Sequence, residues 1–159
     1  HKLMRLHICA VGRLRAGPEK TLVDDYLTRF DRTGRALGLG PISLTEVEDK
    51  KGGGMSGEAV LLERAIPAGA LICVMDERGK TMTSPQFAAQ LGDWRDTGRS
   101  DVAIVIGGAD GIDPALRARA DFALSFGKMV WPHMLVRVMI AEQLYRAASI
   151  QAGSPYHRA

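Results

Sequence analysis

One stretch, Asp101-Val-Ala-Ile-Val-Ile-Gly-Gly-Ala-Asp-Gly-Ile-Asp-Pro114, constrains the fold of this chain more than any other. Its apolar run is mostly β-branched and does not alternate with polar residues, the pattern of a strand buried on both faces of a parallel sheet. The run ends in a glycine pair, and Asp113 followed by Pro114 supplies an N-cap and a first helical residue. Gly107, Gly108 and Gly111 therefore belong at the carboxyl end of a central strand, where open α/β sheets bind their ligands. Glycines there either admit a ligand close to the backbone or simply make a tight strand-to-helix turn.

The rest of the chain repeats this alternation. Met4–Val11 reads as a first strand, and a helix from Pro18 carries Leu22, Tyr26, Leu27 and Phe30 on one stripe. Gly34, Gly38 and Gly40 break it, and Ile42–Val47 is a short strand. The segment 49–54 reads as a flexible connector, because it lacks the Gly-Lys-Ser/Thr ending of a phosphate loop. Ser56 is positioned to cap a helix that Pro67 stops, and Ala70–Met75 is a second buried-type strand. Ser84-Pro85 opens a helix with Phe87, Leu91 and Trp94 on one face, and Gly98 closes it. After the helix from Pro114 come a fifth strand, 122–126, a loop, 127–132, and a long helix, 135–150. Strands alternating with helices predict one doubly wound α/β domain with a mainly parallel sheet of five to six strands, spanning 4–159. His1-Lys2-Leu3 ahead of Met4 reads as a cloning remnant.

Composition narrows the chemistry. No run reaches the roughly 18 apolar residues of a membrane span, and no signal peptide is visible. The cysteines, Cys9 and Cys73, lie inside apolar runs and read as buried thiols. No Cys/His cluster has zinc spacing, so no metal is expected, and a reducing cytoplasm fits. Residues 1–110 carry 15 Lys+Arg and 15 Asp+Glu, while residues 111–159 carry six basic residues against three acidic ones, so the net +3 lies in the last third. That is too little for strong non-specific binding of nucleic acid by a monomer, and a dimer would double it.

Three strand ends could share one site: Met75-Asp76, Gly107-Gly108, and Phe126 leading into Gly127-Lys-Met-Val-Trp131. If the strands are parallel, their loops open on one edge, where backbone groups could read a flat ligand such as an adenosine. Met75, Met129 and Val130 would pack its faces, or the methionines simply fill core. The last helix is apolar around much of its circumference, so it lies deep in the core or against a second chain. Arg137 interrupts that surface and needs an anionic or carbonyl partner. Glu142 and Arg146 form an i,i+4 pair. In the tail, Tyr156 offers a stacking surface, His157 an acid or base near neutral pH, and Arg158 a phosphate fork, although a disordered terminus is the default.

Taken together, Ile106-Gly-Gly-Ala-Asp-Gly111, Ala123-Leu-Ser-Phe-Gly-Lys-Met-Val-Trp-Pro-His133, Arg137-Val, Glu142-Gln-Leu-Tyr-Arg-Ala147 and Pro155-Tyr-His-Arg158 resemble the ribosomal RNA large subunit methyltransferase H family, the minimal branch of the SPOUT methyltransferases. The resemblance implies a C-terminal trefoil knot, which no periodicity argument could supply. It also implies a homodimer that methylates N3 of a pseudouridine in 23S ribosomal RNA, on the ribosome, with S-adenosylmethionine as donor. Donor-binding positions would be Met75, Gly107, Gly108, Phe126, Gly127, Lys128, Met129, Val130 and Trp131. The family usually has leucine where Met75 stands and often serine where Gly127 stands. His157 would be the general base, Tyr156 would hold the target base, and Arg137, Arg146 and Arg158 would bind substrate; His133 would be structural. Two other readings compete. A nicotinamide-dependent oxidoreductase would need Gly-x-Gly-x-x-Gly after the first strand, and Gly12-Arg-Leu-Arg-Ala-Gly17 does not match it. A non-catalytic ribosome- or RNA-binding factor of the same fold would bind no methyl donor.

Overall fold

The computed structural model describes residues 3–158; His1 and Lys2, of the expected remnant, lie outside the described residues. Five strands and five helices follow one another: β1 (Met4–Val11), α1 (Pro18–Gly34), β2 (Leu39–Val47), α2 (Gly54–Ala65), β3 (Leu71–Thr81), α3 (Ser84–Asp96), β4 (Asp101–Ile106), α4 (Pro114–Ala118), β5 (Phe122–Ser125) and α5 (His133–Ala152). They build one sheet of order β2-β1-β4-β3-β5 in which every pairing is parallel. The expected fold class therefore holds, with five strands.

Two cores explain the unbroken apolar runs. On one face Met4, Leu6, Ile8 and Ala10 of β1 and Val102, Ile104 and Ile106 of β4 meet Phe30 of α1, Phe87 and Leu91 of α3, and Ile140 and Leu144 of α5. The intervening residues Cys9, Val11, Ala103 and Val105 turn to the other face, against Ala59 and Leu62 of α2 and Leu116 of α4. Both cysteines are free and buried, and burial pushes their thiols up, Cys9 to about 11 and Cys73 to about 12. Each fully buried Leu, Ile or Phe is worth about 1.5–3 kcal/mol. No helix among the described residues is long and apolar enough to cross a membrane.

Several boundaries differ from expectation, each for a local reason. Leu22 of the expected α1 stripe is exposed, while Leu27 and Phe30 pack on the core as expected and Val23 joins the buried residues. β2 begins at Leu39, ahead of Ile42. Gly53, not Ser56, caps α2. The 49–54 segment is organised by the Asp49 carboxylate, which accepts from the backbone N–H groups of Lys51 (3.1 Å) and Gly53 (2.6 Å). α3 does open at Ser84-Pro85 as expected, capped by Thr83 in a reciprocal box with Gln86. The largest difference is β3, which does not stop at Met75. Its pairing with β5 jumps from Met75↔Leu124 to Lys80↔Leu124, so residues 76–79 bulge out before the strand resumes.

The strand order positions the site. Because β4, β3 and β5 are neighbours and parallel, their carboxyl ends emerge side by side.

Candidate active site

A cavity of about 320 Å³ lies at those three strand ends. The β3 end contributes Met75 and the bulge residues Asp76, Glu77 and Arg78. The β4 end contributes Ile106 through Ile112, and the loop after β5 contributes Phe126, Gly127, Met129, Val130 and Trp131. Eight of the nine residues expected to bind the donor thus surround one space; Lys128 is exposed and stands outside its wall. Asp76, at an expected strand end, and Asp110 and His133, inside the quoted motifs, line the cavity as well, while Arg78 and Val136 also line it and carried no sequence signal for it.

The β4 wall is a backbone cradle. Gly111 donates its N–H to the carbonyl of Gly108 at 3.0 Å, closing a tight turn, and Gly111 has φ of 86°. A Cβ at Gly107 would collide with the Gly111 carbonyl oxygen. These glycines make the expected tight turn, and that turn lines the cavity. The third wall is fixed by Ser125, whose Oγ accepts from the N–H of Gly127 (3.0 Å) and donates to the carbonyl of Glu77 (3.0 Å) in the β3 bulge. Asp76, one of three acids in the wall with Glu77 and Asp110, is paired: it accepts from the N–H of Arg78 at 2.9 Å and meets Arg117 at 2.6 Å.

The rim is apolar and open. Met129 is 74% exposed, Val130 84% and Trp131 41%, with Met134 and Leu135 exposed on the first turn of α5. A contiguous surface of this kind on a small domain marks an interaction site. Deeper in, His133 has a buried Nδ1 with no partner among the described residues. Burial, and secondarily Arg137, pulls its pKa below the usual histidine value, so its ring is neutral at neutral pH.

Arg137 has the partner that the sequence demanded, though not the expected role. It is 0% exposed; Nη1 donates to Glu46 at 2.8 Å and Nη2 to the carbonyl of Val11 at 2.9 Å. A guanidinium so enclosed cannot reach a phosphate, and the expectation that Arg137 binds substrate is corrected on that ground. Glu46, 91 residues away in sequence, was missed.

The tail is packed rather than disordered. Tyr156 donates to Glu142 at 2.7 Å and its ring lies 4.6 Å from that of Tyr145. Arg146 holds Glu142 at 2.8 Å, sits 4.8 Å from the Tyr156 ring centroid, and approaches His157 Nδ1 at 3.1 Å. A guanidinium can only donate, so His157 Nδ1 is the acceptor in this contact. Burial and the Glu142 hydrogen bond push the Tyr156 hydroxyl well above its ordinary value, which keeps it a donor and not a base. Glu142 organises this cluster, and its i,i+4 pairing with Arg146 is only half its function. Arg158 is exposed. Neither Tyr156, His157, Arg146 nor Arg158 lines the cavity of its own protomer.

This geometry has relatives. A family model described as "Predicted SPOUT methyltransferase" matches residues 4–157. Proteins named "Ribosomal RNA large subunit methyltransferase H" from Roseobacter denitrificans and Ruegeria pomeroyi are 76% and 73% identical over 155 residues, covering 98% of this chain and 99% of theirs. A solved structure of a probable methylase family protein from Haemophilus influenzae Rd KW20 superposes with a TM-score of 0.55 at 12% identity, over 98% of this chain and 71% of that one, and so shares the fold. A match along nearly the whole length, joined to that fold, settles the kinship: the chain belongs to the SPOUT methyltransferase family.

Proposed function

We propose that the protein is an S-adenosylmethionine-dependent methyltransferase that modifies 23S ribosomal RNA at N3 of a pseudouridine, working in the cytoplasm as a homodimer on the ribosome. The cavity where β3, β4 and β5 end is the observation that carries this reading. It joins a glycine cradle, which exposes backbone donors and acceptors, to an apolar wall of Met75, Phe126 and Met129, which suits a nucleoside with a thioether-like arm. Asp76, the carboxylate at the β3 end, is held by Arg117 and by the Arg78 N–H rather than left bare toward a sulfonium. The relatives' name assigns large-subunit ribosomal RNA to them, and the basic last third of this chain agrees with such a substrate. The threaded C-terminal segment of SPOUT proteins belongs to the same reading.

Bound S-adenosylmethionine would supply an electrophilic methyl group; the chain's own residues must orient N3 of the target and remove its proton. Fixing two reactants in line is worth about 7–11 kcal/mol of barrier. The exposed apolar rim, Met129 through Leu135, supports a dimer in which one protomer's tail closes over its partner's cavity. In that arrangement Tyr156, its hydroxyl turned from Glu142 to the substrate, donates to a carbonyl oxygen of the base. Arg146 and Arg158 take phosphates. Once Arg146 turns to a phosphate, His157 Nδ1 is released to accept the N3 proton, which then passes to water.

Labelled methyl transfer to isolated subunits and to whole ribosomes, followed by mass mapping, tests this. One N3-methylpseudouridine in 23S RNA is expected, and His157→Ala is expected to slow single-turnover transfer by about 10²–10⁴-fold. Binding of RNA without any methyl transfer would favour a non-catalytic factor instead.

A further inference from the structure

The sheet edge that carries the cavity also carries a loop with no part in the mechanism above. Between β1 and α1, Arg13 and Arg15 are exposed while Leu14 between them is buried. The loop adjoins the cavity. β1 and β4 run in register to Ala10↔Ile106, so the chain leaves β1 beside the glycine turn. A Cβ at Gly12 would lie 3.6 Å from the ring of His133, and one at Gly108 would lie 3.2 Å from Val11.

An unusual investment holds this loop in place. Glu46 Oε2 accepts both the Leu14 N–H (2.6 Å) and Arg137 Nη1 (2.8 Å), while Arg137 Nη2 reaches the Val11 carbonyl (2.9 Å). A partly buried ion pair is a poor way to gain stability, since well-packed apolar side chains of the same volume often do as well. What apolar side chains could not do is satisfy the Leu14 N–H and the Val11 carbonyl, and so fix the backbone on either side of Arg13. The pair is spent on loop geometry.

The two arginines have little to do at home. Arg13 comes only to 4.0 Å of Glu48, with its side chain 68% exposed, and no carboxylate among the described residues lies within 4.0 Å of Arg15. By contrast Arg5, Arg29 and Arg95, on other elements, are paired with aspartates at 3.0, 3.2 and 2.9 Å. Rigidly based guanidinium forks, one loosely paired and one without a carboxylate partner among the described residues, match beside this cavity the geometry and charge of a sugar–phosphate backbone.

We infer that Arg13 and Arg15 form a second RNA contact, gripping two phosphates of the strand presented to the cavity on the protomer that holds the donor, with Glu46 and Arg137 as the clamp that positions them. The inference rests on the methyltransferase reading and adds to it a surface on the donor side, opposite the partner's tail.

The test uses the homodimer and 70S ribosomes, with wild type, R13A/R15A and R13K/R15K. Each lost phosphate contact removes one counterion released, so R13A/R15A is expected to flatten the log–log salt dependence of ribosome binding by about 1.4–1.8. KM for ribosomes should rise about tenfold at moderate salt, R13K/R15K should keep the wild-type slope, and affinity for S-adenosylhomocysteine should stay within about twofold. An active wild type with an unchanged slope and KM in R13A/R15A overturns this inference alone. Equal KM increases in both variants, with unchanged slopes, assign the effect to loop packing and also overturn it. A wild type that transfers no methyl group to ribosomes overturns the underlying reading together with this one.

Discussion

Gly107→Val is expected to lower affinity for S-adenosylhomocysteine by about 100-fold or more, equivalent to about 2.7 kcal/mol, while the protein still folds. The reason is steric and local. Any Cβ at this position would occupy the space of the Gly111 carbonyl oxygen, and the Ile112 nitrogen would lie 3.1 Å away. Neither is the end of a flexible side chain that could swing aside. The turn from Gly108 to Gly111, closed by its 3.0 Å hydrogen bond, would have to open, and that turn is the β4 wall of the cavity. Displacing backbone at the end of one buried strand costs typically 1–3 kcal/mol, which a domain of this size can absorb. Titration calorimetry reads the binding loss and urea unfolding reads the stability. Wild-type affinity in the variant would mean that the glycine turn serves the fold alone.

The second large effect concerns stability. Arg137→Met should destabilise the protein by about 3 kcal/mol. The thioether nearly fills the volume of the stem, so the loss comes from what the guanidinium leaves behind: the Glu46 carboxylate and the Val11 carbonyl, each short of a donor. Glu46 retains the Leu14 N–H and is partly exposed, and that holds the loss below the upper end seen for fully enclosed pairs. Glu46→Gln in the same background should recover part of it, because an amide tolerates the site better than an unpaired carboxylate. Unfolding must be compared at one protomer concentration, since association adds to apparent stability. Simple additivity of the two substitutions would deny the coupling on which the loop clamp depends.

Much of the fold was legible from patterning. The non-alternating runs 70–75 and 101–106 carry residues bound for two different cores, and that is why they read as strands covered on both faces. Three strand ends that converge are a consequence of parallel order, and the residues Met75, Gly107 and Phe126 could be named before their neighbours were known. The continuation of β3 past Met75 was not legible, because residues 76–79 form a polar bulge that resembles a turn until β5 supplies its pairing partner. Likewise Arg137 announced that it needed an acceptor, but Glu46 sits on β2, with α2, β3, α3, β4, α4 and β5 between them in sequence. The packed tail was hidden for the same reason. Glu142, Arg146, Tyr145 and Tyr156 look like ordinary helix-surface and terminal residues until the chain turns back at Gly153 and brings them together.

The central claim is that the space between the ends of β3, β4 and β5 is the methyl-donor site. A crystal structure of the homodimer with S-adenosylhomocysteine addresses it directly. The account predicts the nucleoside against the 107–111 turn and the 126–131 loop, with the partner's Tyr156 and His157 facing the sulfur. The product lodged elsewhere on the protein, with this cavity empty, would contradict it.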